Sequence, residues 1–185
     1  MEEGDEAAVE ELFQTNFFGP VCLIKKVLPD MRQQHAGAII NISSLGALTC
    51  GMGAGYDSAS KGALEKRSES LRKEVEPLGI KVMVVEPGAF RTRFRVAHVK
   101  GKETLIDDYA AVAEARAALA NDPFGQNGDP DKAAEVIVRT IAAKDYPHLI
   151  LLGKGSSDTG IQILQDQITE IAKWKEIADQ TYFEK

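Results

Sequence analysis

Between Ser43 and Lys61 the chain gathers hydroxyls, a phenol, a carboxylate and an ammonium, as Ser43-Ser44 and then Tyr56-Asp57-Ser58-Ala59-Ser60-Lys61. Groups of this kind hold, give or direct protons, and their spacing sets what each can do. Asp57 and Lys61 stand at i and i+4, which on a helix is an ion pair that by itself steadies the helix by roughly 0.2–0.5 kcal/mol. Tyr56 is one place earlier, and neighbouring helix positions point about 100° apart with about 1.5 Å of rise. Phenol and carboxylate are not interchangeable here. With unperturbed pKa values of about 10 and about 3.9, the first carries a proton near pH 7 and the second does not.

The flanking segments say how these groups are positioned. Ala-Ile-Ile-Asn-Ile-Ser, residues 38–43, is a short, almost continuous apolar run and predicts a buried parallel strand. Its exit carries the two serines, and because alternate strand residues face opposite ways, Ser43 and Ser44 compete for any one site. Leu45 to Gly55 reads as a glycine-bearing loop. A helix is predicted from about Asp57 to Glu76, with Ala59, Ala63, Leu64, Leu71 and Val75 inward and Glu65, Lys66, Arg67, Glu69, Arg72 and Lys73 outward. Pro77 and Gly79 stop it. A second buried strand follows from Ile80 to Glu86 and ends in Pro87-Gly88-Ala89-Phe90-Arg91-Thr92.

Asn-x-Ser-Ser at a strand end, Tyr-Asp-x-x-x-Lys opening the next helix and Pro-Gly-x-x-x-Thr after the next strand together resemble the short-chain dehydrogenase/reductase family. The resemblance implies a Rossmann-like fold, NAD or NADP as cofactor, and interconversion of a carbonyl and a secondary alcohol. In the family a Tyr hydroxyl exchanges a proton with the substrate oxygen, a Lys one helical turn on favours the phenolate, and a Ser bonds the substrate oxygen. Carried onto this chain, these roles fall on Lys61 and Ser44, with Asn16, Tyr56 and Asp57 completing the catalytic set. The resemblance also assigns Asn41, Lys61, Pro87, Gly88 and Thr92 to the cofactor. The family's Tyr precedes the Lys by four and commonly follows the second Ser by thirteen. Both counts converge on position 57, where this chain has Asp. Tyr56 is out of register by one, and a misplacement near 1 Å can cost on the order of 100-fold in rate.

Ahead of this region a helix is predicted from about Glu6 to Gln33, with Asp5 as a possible N-cap, residues 1–8 frayed, and Val9, Leu12, Phe13, Phe17, Val21, Ile24 and Leu28 at three- and four-residue steps. Cys22 falls among them as a packing residue. Pro20 lies inside the helix and has no N–H, so the carbonyl four residues back, that of Asn16, loses its helical partner. In the family an Asn carbonyl at the matching place holds a water that connects to the Lys. Two glycine-rich stretches invite a phosphate reading. Gly51-Met52-Gly53-Ala54-Gly55, with Glu86 as a ribose acid, comes too late after its strand and lacks the third small residue of a dinucleotide turn. Gly153-Lys154-Gly155-Ser156 lacks the spacing of a P-loop. Arg91 and Arg93 could meet a substrate anion or be surface residues.

Past Arg95 the pattern loosens into an alanine-rich helix around Leu105 to Ala120 and a polar loop, the region that covers the substrate in the family. A helix starting at Asp129-Pro130 and running to about Ala143, a third short strand in His148 to Gly153, and a last amphipathic helix from about Ser156 to Ala178 complete the reading. In that helix Ile161, Leu164, Ile168, Ile171 and Trp174 share one face, and Trp174 with Thr181-Tyr182-Phe183 is expected to pack.

The 185 residues suit one domain, and a formal net charge of -6 with a pI near 5.2 offers no basic field for nucleic acid or an anionic membrane. Two distant cysteines without a Cys-x-x-Cys pair, and no apolar run near the roughly 20 residues a bilayer requires, point to a cytoplasmic protein. No metal site is expected. The expected fold class is α/β, a partial doubly wound parallel sheet of three strands with flanking helices, lacking the family's amino-terminal strands and glycine-rich turn. The expected function is an NAD(P)-dependent oxidoreductase acting on a small carbonyl or alcohol, impaired by Asp57 and by weak cofactor binding, and homo-oligomeric through its helices. The alternative is an inactive remnant that binds a partner through a helical face or an open sheet edge.

Overall fold

The computed structural model describes residues 2–93, 106–120 and 126–183. Three strands form one parallel sheet in the order β1 (Gly37–Ile42), β2 (Ile80–Pro87) and β3 (Leu149–Leu152). The β1–β2 register runs from Gly37 opposite Ile80 to Ile42 opposite Val85. Alternation along the strands then divides the side chains between two helical layers. Ile39, Ile80 and Val82 pack against Ile24 of α2 (Gly19–Gln34) and Leu71 and Val75 of α3 (Gly55–Val75). Ile40, Met83, Val85 and Leu152 take the other face, under Val136, Ile137 and Ile141 of α5 (Pro130–Ala142). This is the partial doubly wound arrangement expected from the sequence.

The first helix is continuous but changes pitch. α1 (Glu6–Phe13) begins at Asp5, whose carboxylate caps the Ala7 N–H at 3.1 Å, so the order starts earlier than the acidic composition suggested. A π turn over Gln14–Phe18 leads into α2. The wide turn sits just before Pro20, where the regular ladder must lose a bond. Gly19 allows it: a Cβ there would come within 2.9 Å of the Gln14 carbonyl oxygen. Asp129 caps α5 as the sequence indicated, through the N–H groups of Asp131 and Lys132. α4 (Ala110–Ala120), preceded by a 3-10 turn at Asp107–Tyr109, is the described part of the alanine-rich segment. The rest of that expectation lies outside the described residues.

Four expectations about burial are corrected. Cys22 is exposed on the outer side of α2 instead of packing. Ala59 is exposed, whereas Glu65, expected outside, has a carboxyl oxygen with no solvent access. The third correction is the largest: α6 (Ser156–Ala178) meets the body through its first turns, where Ser156 and Gly160 are buried, and its apolar stripe of Ile161, Leu164, Ile168 and Ile171 faces solvent. Finally, Trp174 is 48% exposed, with its indole N–H on Glu170, and Tyr182 and Phe183 are fully at the surface. Periodicity reports an amphipathic helix but not whether anything covers it.

The stability of the described body therefore rests on α3 and the sheet. Leu71→Ala, at a position with no exposure, is expected to destabilise the chain by about 2–5 kcal/mol. Ile168→Ala, on the open face of α6, should stay within about 0.5 kcal/mol. Urea denaturation of both variants checks this, and an equal loss at Ile168 would mean that α6 is covered in solution.

Candidate active site

The carboxyl ends of β1 and β2 meet the amino-terminal turns of α3, and this corner gathers the candidate residues. Strand parity turns Asn41 and Ser43 toward α3. The Asn41 amide donates to Ser68 Oγ at 2.8 Å, and the Ser43 hydroxyl lies 3.4 Å from the Lys61 carbonyl oxygen. Ser44, on the opposite parity, leaves the strand and accepts the Gly46 N–H at 3.0 Å, capping the 3-10 turn Leu45–Ala47. Ser43 is thus tied into the core beside Lys61, and Ser44 stands at the strand's exit.

Lys61 is half-buried, with Nζ donating to the Ile42 carbonyl oxygen at 3.1 Å. Burial pushes its pKa below the ordinary lysine range, and the negative charge of Asp57 partly opposes that. One helical turn back, Asp57 Oδ1 accepts from Asn16 Nδ2 at 3.3 Å, and the same amide donates to Ser60 Oγ at 3.0 Å. Ser60 in turn donates to the Asp57 carbonyl oxygen at 2.7 Å. Asn16 therefore reaches the corner through its side-chain amide, a role that the argument about its carbonyl did not anticipate. The amide reaches α3 from the π turn, so the irregular backbone is what brings residue 16 to residue 57. Tyr56 is half-buried, and its hydroxyl has no hydrogen-bond partner among the described residues.

An open groove of about 490 Å³ runs from this corner along β1, between Asn16 and Lys61 at one end and Met31 at the other, with Leu23 and Val27 on its α2 wall. At the far side of the corner β2 ends in Pro87-Gly88. Gly88 permits a close approach there: a Cβ would fall 2.3 Å from Ser156 Oγ, which would have to move. Phe90 pairs with Gly128, and Arg91 is drawn into that contact by a 3.1 Å bond from Nε to the Gln126 carbonyl oxygen. Arg93 and Thr92 are exposed. Among the described residues no group of acidic, His or Cys side chains could hold a metal ion, and no helix is long and apolar enough to cross a membrane.

The sequence pattern of the short chain dehydrogenase family matches residues 1–103, the stretch that contains Asn16, the paired serines, Lys61 and the Pro-Gly turn. The chain belongs to this family. A 3-ketodihydrosphingosine reductase of Bacteroides thetaiotaomicron is 37% identical over 158 residues, covering 83% of this chain and 57% of that protein. A short-chain dehydrogenase from Streptomyces avermitilis superposes with a TM-score of 0.86 at 35% identity, over 99% of this chain and 66% of that one. A serine dehydrogenase complexed with NADP+ shares the fold at 24% identity, with a TM-score of 0.64 over 80% of this chain and 56% of its own. The chain thus spans about 57–66% of the length of the first two relatives.

The structure brings together Asn16, Ser43, Asp57, Ser60 and Lys61, with Ser44 and Tyr56 at the rim. Asn41 is buried and committed to Ser68, and Pro87-Gly88 closes the adjoining strand end. What sequence reasoning missed is Glu65 and Glu86, which face each other in the core just behind Lys61. The signal was present: Glu86 shares the parity of Ile80 and Val82, which places it on the α3 side. Because the Asp57 charge raises the Lys61 pKa, Asp57→Asn should lower the pKa of the amine further. NMR titration of the Lys61 ε-amino group in both proteins checks the direction.

Proposed function

We propose that this corner is a dinucleotide-dependent carbonyl–alcohol oxidoreductase site in which a carboxylate occupies the proton-donor position. Its residues fit the nicotinamide half of NAD or NADP. The half-buried Lys61 amine, the Ser44 hydroxyl and the Pro87-Gly88 turn all lie at the carboxyl ends of parallel strands, where open α/β sheets bind ligands. No phosphate-cradling turn follows a strand among the described residues. When bound, the dinucleotide supplies or accepts hydride. This chain's part is to hold the substrate oxygen and to move a proton. Ser44 stands at the strand exit to bond that oxygen, Ser43 and the Ile42 carbonyl fix Lys61, and Asn16 orients residue 57.

The observation that carries the reading is the Asn16–Asp57 bond beside Lys61. It supports residue 57, rather than the phenol of residue 56, as the proton-donor position. Positioned general acids contribute about 10²–10⁴-fold in rate. With NADPH supplied at millimolar concentration or above, Asp57→Tyr is therefore expected to raise reduction of a small ketone by at least about 100-fold, with Tyr56→Phe changing little. The opposite pattern, activity lost in Tyr56→Phe and unchanged in Asp57→Tyr, would assign the proton to Tyr56. Titrating NADH and NADPH against the fluorescence of Trp174 should give no saturable binding below millimolar concentration. Tight binding would overturn the impaired reading.

A second reading is favoured by the open edge of β1. Ile42 is 46% exposed there, and Leu23 and Val27 line the adjoining groove at 68% and 41%. Such an edge takes another strand or a second copy of the chain, which makes the homo-oligomer and the partner-binding module forms of one proposal. The cytoplasmic location belongs to the same proposals and is supported by two free, exposed thiols.

A further inference from the structure

Glu86 lies near the end of β2 with no solvent exposure, and neither of its carboxyl oxygens has a hydrogen-bond donor. Facing it from α3 is Glu65, one of whose carboxyl oxygens is equally inaccessible and unpartnered. The two carboxyls lie within hydrogen-bonding reach of each other, and Glu65 is also within reach of the Ser43 hydroxyl. The register explains the meeting. Ile42 pairs with Val85, so Ser43 is the β1 neighbour of Glu86, and the Ser43 N–H confirms this by donating to the Val85 carbonyl at 2.8 Å. Glu65 comes one helical turn after Lys61 and so sits over both.

Two buried carboxylates in contact cannot both stay ionised without repulsion in a poorly solvated site, whereas one proton between them gives each an appropriate partner. We propose that Glu65 and Glu86 share a single proton and form a proton-dependent clasp between the middle of α3 and the end of β2. The two elements it joins are those that carry Lys61 and the Pro87-Gly88 turn. Glu65 and Glu86 are positioning residues, acting through the spacing of those groups. When the shared proton leaves to water, two anions face each other and push the helix and the strand end apart.

The surroundings favour the shared proton. Burial raises the Glu86 pKa to about 8, and the Glu65 charge adds to the effect. Glu65 is raised by burial, with Ser43, Glu86 and Lys66 pulling the other way. From the β1 side the pair meets Ser43, which does not titrate. The α3 cations are committed elsewhere: Lys66 points out to Glu69, and Lys61 bonds the Ile42 carbonyl. Near the end of β2, α6 presents Ser156 to Gly88. This inference does not depend on the catalytic reading and survives its failure.

Carbon-13 NMR of glutamate-labelled protein tests the proposal on the chain as it stands. One carboxyl should titrate with a midpoint near pH 8; Glu86→Gln should abolish that transition, and Glu65→Gln, which removes the facing charge but leaves Glu86 buried, should lower its midpoint. Amide exchange at the Ser43 and Gly88 N–H groups, corrected for the intrinsic pH effect, should quicken through the same midpoint and lose that step in Glu86→Gln. Because the folded-state pKa is raised, the associated stability is fully present below about pH 4.5, the ordinary glutamate value, and is lost as pH rises through about 8. All carboxyls titrating below pH 6 in the unsubstituted protein would overturn the shared proton, whether or not the variants fold. A high midpoint without any step in amide exchange would overturn the clasp.

Discussion

One face of a three-stranded sheet against one helix is the contact on which the other features depend. β1 and β2 present a single row of side chains to α3, and the chemistry of that row changes along the strands. At the amino-terminal ends it is Ile39, Ile80 and Val82 against Leu71 and Val75, an apolar core. Toward the carboxyl ends it becomes Asn41 on Ser68, Ser43 on the Lys61 main chain, and Glu86 facing Glu65. The helix is therefore held by burial at one end and by polar partnership at the other. That gradient leaves reactive groups at the strand ends without leaving the helix loose.

Polar groups in such a place are expensive when unpaired, on the order of 1–3 kcal/mol for a neutral group and more for a charge. The corner shows how the cost is met. Asn41 and Ser68 satisfy each other, Ser68 passing its own proton to the Leu64 carbonyl at 2.6 Å. Lys61 trades solvent for a strand carbonyl. The Asn41–Ser68 and Lys61–Ile42 bonds both tie β1 to α3 at defined positions, so the polar end is specific where the apolar end is merely adhesive. A hydroxyl or ammonium displaced here would have to give up a partner, and this keeps Lys61 in register with residue 57.

Much of this was legible in the chain. Continuous apolar runs at 38–43 and 80–86 announced buried parallel strands, and Asp129-Pro130 announced a helix start, because those signals are local. Three features were not legible, each for a physical reason. Glu65 reads as a surface residue on a charge-rich helix, and only the strand opposite it makes it buried. The stripe on α6 has the spacing of a packed helix, yet a repeat describes one helix and not its cover. Asn16 reaches Asp57 because a π turn rotates it there, and a proline signals that a helix is perturbed without saying in which direction.

On the proposed reading, the donors and acceptors at the corner also explain why residue 57 would decide what the site can do. Asn16 Nδ2 and Lys61 Nζ both donate, and a charged ammonium has no acceptor capacity. A phenol among them could accept from these groups and still give a proton of its own. An ionised carboxylate accepts only. The Asn16 bond therefore satisfies Asp57 without equipping it to donate, and Ser60 spends its proton on the Asp57 main chain. Within the corner the Tyr56 phenol, one position out of register, has no hydrogen-bond partner among the described residues. In the proposed oxidoreductase site the same framework of strand ends, π turn and helix is thus kept while the proton-bearing group is moved off the position that framework would serve.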